Sequence, residues 1–217
     1  MAIVFSVYGN TLNHDYNLDD SYYVNILPKV DAKPNEIVKV VTKRFSKSDY
    51  RPIPALHLAI EQYCFGQKSS VFHFFNVFYY ALLGIAIFIL FNQLKIFPNQ
   101  WMVLLLVILF LVHPSHSNVV ASIKNRDVIL SMFYGVLAII CFVRFYDVKK
   151  YLYLLSSALL LLIAILCKRD ALMFLFIALG VVHFSRSINW RKALIPVAVS
   201  FFLVVSFIRF KHFFYSR

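Results

Sequence analysis

The chain has 217 residues, of which 61% are hydrophobic and 18% aromatic, with a mean hydropathy of +0.73. A soluble domain runs nearer about 45–50% apolar, so the composition excludes an ordinary water-soluble globule and points to a membrane protein. The net charge of +12 comes from cations placed mostly in short connectors between apolar runs, a pattern that sets membrane topology and argues against a nucleic-acid partner.

The opening run MAIVFSVYG is too short to cross a bilayer and lacks the basic region and cleavage site of a signal peptide. It reads as the end of a first transmembrane helix (1–9) whose beginning is missing, so the chain is expected to be a fragment or to carry a mispredicted start. A polar segment over 10–70 follows, ahead of a transmembrane bundle over 71–217. Early in that segment lies YNLDDSYYVN. Its adjacent carboxylates, Asp19 and Asp20, resist joint ionisation, which raises one of them toward a range useful to a general base. The competing reading is that Asp20 caps a short helix starting at Ser21.

The stretch YRPIPALHLAIEQYCFG predicts a helix, with Pro52 and Pro54 in its first turn and Gly66 as its stop. Ile53, Leu56, Ile60 and Tyr63 fall on one face, with His57 and Glu61 away from it. That pattern suits an amphipathic helix lying in the membrane interface or packed on the top of the bundle.

Apolar runs then predict about six spans, at 71–94, 101–119, 128–146, 151–167, 171–185 and 193–210. Helix is the only conformation open to them in lipid. With 10–70 outside, the inner connectors carry Lys95, Arg144, Lys149, Lys150, Arg186, Arg191 and Lys192. The outer ones carry Lys124, Arg126, Lys168 and Arg169, so the positive-inside rule favours this orientation. The outer cations also have acidic neighbours, Asp127 and Asp170. Three polar segments therefore meet on one face: the 10–70 loop, HPSHSNVVASIKNRD and CKRDA. Ionisable groups gathered at a membrane boundary are a candidate functional site.

Arg51, Lys124, Arg126, Lys168 and Arg169 suit contact with a lipid phosphate. Snorkelling to headgroups is the alternative, and Arg126–Asp127 could be a local ion pair. His113 and His116 flank Pro114, which ends the span, and their expected role is hydrogen bonding in that turn. A divalent metal is conceivable, but the spacing supplies no third ligand. His73 and Asn76 share a helical face and suit interhelical hydrogen bonds. The three widely spaced cysteines, Cys64, Cys141 and Cys167, form no C-x-x-C pair.

Taken in order, YNLDD, YRPIPALHLAIE-x-x-x-FG, FHFFNV, HPSHSNVVASIKNRD and CKRDA resemble the membrane domain of GT-C glycosyltransferases. The nearest branch is that of the transmembrane O-mannosyltransferases targeting cadherins and their bacterial tetratricopeptide-repeat relatives (glycosyltransferase family 39-like). The resemblance covers roughly 5–185. It implies a multi-spanning all-α GT-C bundle whose long first extracytoplasmic loop bears the catalytic acid. It also implies a polyprenyl-phosphate-linked sugar donor, mannose among the candidates, and a protein or glycan acceptor. Asp19 or Asp20 would then be the base, with His113, His116, Asp127 and Asp170 near the substrate. Asn118 stands where the family carries glutamate, and Arg169 where it carries an acidic residue.

The expected protein is thus a glycosyltransferase of a bacterial inner membrane, with its active face extracytoplasmic. A membrane scaffold of the same fold is the alternative. A transporter would show polar groups at mid-span and broken helices, and these spans are nearly free of charge.

Overall fold

A computed structural model describes residues 1–17, 19, 20, 24, 51–189, 194, 197 and 198. The described residues are helical, with no strand. A short α1 (Ala2–Tyr8) leads into a 3-10 turn (Gly9–Asn13), and α2 (Pro52–Phe65) precedes the long α3 (Ser69–Leu94). Then come α4 (Gln100–Leu111), a 3-10 turn (Pro114–His116) and α5 (Ser117–Ala121). The chain continues through α6 (Arg126–Val148), α7 (Tyr151–Cys167), a 3-10 turn (Arg169–Leu172) and α8 (Met173–Arg186).

At 1.5 Å per residue α3 spans about 39 Å and α6 about 34 Å, enough for a hydrocarbon core of about 30 Å. These two helices are long and apolar enough to cross a membrane, and a third span follows if the bent pair of α4 with 114–121 is counted as one. That is fewer than the six expected. α7 has 17 residues and α8 only 14, and the expected span at 193–210 lies mostly outside the described residues.

The expected span 101–119 breaks at Pro114, where the chain bends by 50°. Proline lacks the N–H that Phe110 O would accept, and it forces His113 into extended backbone (φ −64°, ψ 129°). The freed carbonyls are satisfied from the side. The His116 ring lies 2.9 Å from Phe110 O, while Tyr8 and Tyr80 donate their hydroxyls to Leu111 O at 3.0 and 3.1 Å. Such repair lets a proline break persist in an apolar setting.

Close packing fixes the bundle. A Cβ at Gly84 would lie 2.7 Å from the Leu111 side chain, so α3 and α4 approach closely there and a larger residue would require Leu111 to shift. At Gly135 it would lie 2.5 Å from the Phe174 ring of α8. α7 lies against α6 along a seam that includes Ala138, Ser157, Ala158 and Ala164, all buried, and Ser157 donates to Ala138 O at 2.8 Å. Small residues and hydroxyl–carbonyl bonds of this kind hold helices together in lipid. The outer surface is apolar: Trp101, Leu105 and Leu109 make one exposed stripe, and Leu152, Leu155 and Leu159 another. A surface this greasy suits hydrocarbon as its solvent.

Candidate functional site

The floor of the site is a buried arginine. Arg126 opens α6 with no exposed surface. Its Nε donates to Asn76 Oδ1 at 2.8 Å, Nη1 to Glu61 Oε2 at 2.5 Å and Nη2 to Phe72 O at 2.6 Å. The Phe72 and Tyr79 rings flank it at 6.0 and 5.7 Å. Asn76 also donates to Ser122 O (2.7 Å) and Val120 O (3.3 Å), and Tyr79 donates to Glu61 Oε1 at 3.2 Å. One guanidinium therefore ties α2, α3, α6 and the 120–122 turn together. Burial pushes the Glu61 carboxyl above the usual range against the pull of Arg126. His57 lies 2.9 Å from the Tyr79 hydroxyl, and burial, helped by the Arg126 charge, lowers it to about 4.

This geometry bears on two expectations. Arg126 faces the interior and pairs with Glu61 rather than with its neighbour Asp127. The Ile53, Leu56, Ile60 and Tyr63 face of α2 turns outward, with Ile60 and Tyr63 exposed, while Glu61 is buried against the bundle. Sequence reasoning gave Glu61 no role. Its position with His57 at i, i+4, opposite the apolar stripe, was the available signal.

The two aspartates are divided. Asp20 is fully buried, and its Oδ1 accepts from Ser122 Oγ (3.0 Å) and Lys124 N (2.8 Å). Its Oδ2 is enclosed with no hydrogen-bond partner among the described residues. The buried His73 ring lies within electrostatic reach of this carboxylate. Asp19 instead points outward and accepts from Lys124 Nζ at 2.6 Å, with 68% of its side chain exposed. Both residues have helical backbone; the alternative capping reading involves Ser21 and lies outside the described residues.

Beside this cluster Arg51 pairs with Asp127, which is almost wholly buried while the arginine stays a quarter exposed. Asp127 also feels Cys167 at the end of α7, which brings the third polar segment alongside. There Lys168 approaches Asp170 at 3.8 Å, with both partly in solvent, and Arg169 occupies the adjoining 3-10 turn. His113 bonds within its own turn to Ser115 Oγ at 2.7 Å, and His116 lies 2.8 Å from the Tyr80 hydroxyl. Both histidines thus brace the proline break. Asn118 takes part only through its carbonyl, which accepts from Asn125 Nδ2 at 3.3 Å. Among the described residues no three His, Cys, Asp or Glu side chains converge as metal ligands.

The arrangement can do three things chemically. It presents a solvated carboxylate at Asp19, fixes it against Lys124, and leaves a second carboxylate, Asp170, exposed near Lys168 on another segment.

Comparison with known proteins gives distant relatives of one kind. The chain is similar to Protein O-mannosyl-transferase Tmtc1 of Drosophila melanogaster, 26% identical over 181 residues, which cover 79% of this chain and 21% of the fly protein. It is also similar to Protein O-mannosyl-transferase TMTC1 of Homo sapiens (24% over 151 residues, 64% of this chain and 17% of that one). For human TMTC2, a protein of the same description, the figures are 26% over 159 residues, 69% and 19%. The chain thus spans about one fifth of the length of these relatives. No family model matches, and no solved structure does.

Proposed function

We propose that the protein is a membrane glycosyltransferase of GT-C type. It transfers a sugar, mannose by likeness to the relatives' names, from a polyprenyl-phosphate carrier to an acceptor hydroxyl on the extracytoplasmic face. The observation that carries this reading is the solvated Asp19 carboxylate held by Lys124, in a chain similar to O-mannosyltransferases.

In the reaction Asp19 takes the proton of the acceptor hydroxyl, whose oxygen bonds to the anomeric carbon. The bond from that carbon to the phosphate oxygen breaks, and the lipid phosphate leaves with the electron pair. Lys124, Lys168 and the exposed part of Arg51 stabilise the departing charge. Asp20 serves as a support: by clamping Ser122 and Lys124 N it sets the turn from which the lysine reaches Asp19. The outward apolar face of α2 lies in the membrane interface, near the carrier's headgroup.

A second reading, a non-catalytic scaffold of the same fold, is favoured by Asn118 and Arg169 in positions where the resemblance expects acidic groups. One experiment separates them. Membranes carrying the wild type or the Asp19→Asn, Asp20→Asn pair are supplied with a labelled polyprenyl-phosphate sugar and a hydroxyl acceptor. Transfer lost in the pair supports catalysis, undiminished transfer overturns the assignment, and donor binding without turnover by the wild type establishes the scaffold.

A further inference from the structure

α3, α6 and α8 all begin at or near the candidate site, so their C-terminal ends gather at the other end of the bundle. There Lys95, Arg144 and Arg186 line an open recess with a single carboxylate, Asp147. Arg186 is committed within the fold. Its Nε and Nη2 grip Asp147 Oδ1 and Oδ2 at 2.7 and 3.0 Å, and Nη2 also donates to Gln93 O at 3.1 Å, capping the α3 terminus. That bidentate pair neutralises one cation and leaves two in excess.

Lys95 and Arg144 are exposed, and neither forms an ion pair among the described residues. Lys95 is also held in place, because it takes the left-handed conformation (φ 55°) that ends α3. Nearly two turns back along α3 the wall of the same recess becomes apolar, with Phe88 half-buried and Ile89 46% exposed. Two surplus cations at the mouth and a hydrocarbon-like flank form a site for an amphiphile, since a small free anion would use the cations alone.

We infer that this recess binds the phosphate headgroup of an anionic phospholipid, with an acyl chain lying along Phe88 and Ile89. Basic pockets between membrane helices recognise such headgroups through the charge on their phosphates. The site is separate from the transferase face and stands whether or not the chain turns over sugar.

The test is native mass spectrometry of the whole chain in detergent, titrated with phosphatidylglycerol or phosphatidylcholine. Phosphatidylglycerol is expected to be retained preferentially. Lys95→Gln and Arg144→Gln should each weaken it about fivefold, equivalent to about 1 kcal/mol per basic residue. Arg144→Lys, which keeps the charge, should retain binding and controls for misfolding. Lys150→Gln, on the same face outside the recess, should leave binding unchanged. Equal retention of the two lipids overturns the proposal. So does an equal loss in Lys150→Gln, which indicates diffuse surface charge, or displacement of the lipid by millimolar inorganic phosphate.

Discussion

Replacing Glu61 by glutamine tests the buried floor of the site most sharply. Arg126 has no exposed surface and Glu61 only 3%, and Glu61 is the carboxylate paired with it, at 2.5 Å. Glutamine preserves shape and an acceptor oxygen but leaves the cation uncompensated away from water. Breaking a buried pair in this way costs about 3–5 kcal/mol. For a chain of this size each kcal/mol moves the melting midpoint by about 2–4 °C, so Glu61→Gln should melt about 6–20 °C lower. Thermal melting of the detergent-solubilised protein reads this directly. The Arg126→Met, Glu61→Leu pair, which removes both charges, should recover most of the loss. A Glu61→Gln midpoint within about 2 °C of wild type would refute the claim that this pair holds α2 to the bundle.

Two other measurements probe the packing and electrostatics. Gly135→Ala drives a methyl into the Phe174 ring, at 2.5 Å before relaxation, and should cost about 1–3 kcal/mol; Phe174→Leu in the same chain should return most of it, and an unchanged melt in Gly135→Ala would deny the close approach of α6 and α8. His57 is held neutral, with its value lowered from 6.5 to about 4. The unfolded chain therefore binds the extra proton first, so stability is full above about pH 6.5 and falls as the pH drops toward 4, by up to about 3 kcal/mol. His57→Gln should flatten that part of a melting-against-pH profile, and a profile equally steep in the variant would contradict the assignment.

Much of the fold is legible in the sequence because hydrophobic runs and punctuation agree. The 151–167 span coincides with α7, the 71–94 and 128–146 spans fall within two residues of α3 and α6 at each end, and the Pro52 and Gly66 signals bound α2. At 101–119 the expected bounds run past Pro114, the residue that ends the helix at Leu111. The polar floor is hidden for a different reason. Arg126 finds Glu61 and Asn76 across 65 and 50 residues of chain, and no local spacing encodes such a meeting. The division of Asp19 from Asp20 depends likewise on the 122–124 turn, more than a hundred residues away. From sequence the two carboxylates are equivalent; the turn makes one a clamp and leaves the other in solvent.

That division gives the most direct test of the proposed chemistry. Transfer of labelled sugar from a polyprenyl-phosphate donor is measured in membranes carrying Asp19→Asn or Asp20→Asn separately, with each variant's melt recorded. If Asp19 is the general base, Asp19→Asn should lose about 10²–10⁴-fold in transfer rate while melting like the wild type. Asp20→Asn should lower the melt together with whatever activity it loses. Wild-type transfer by Asp19→Asn would contradict the central claim.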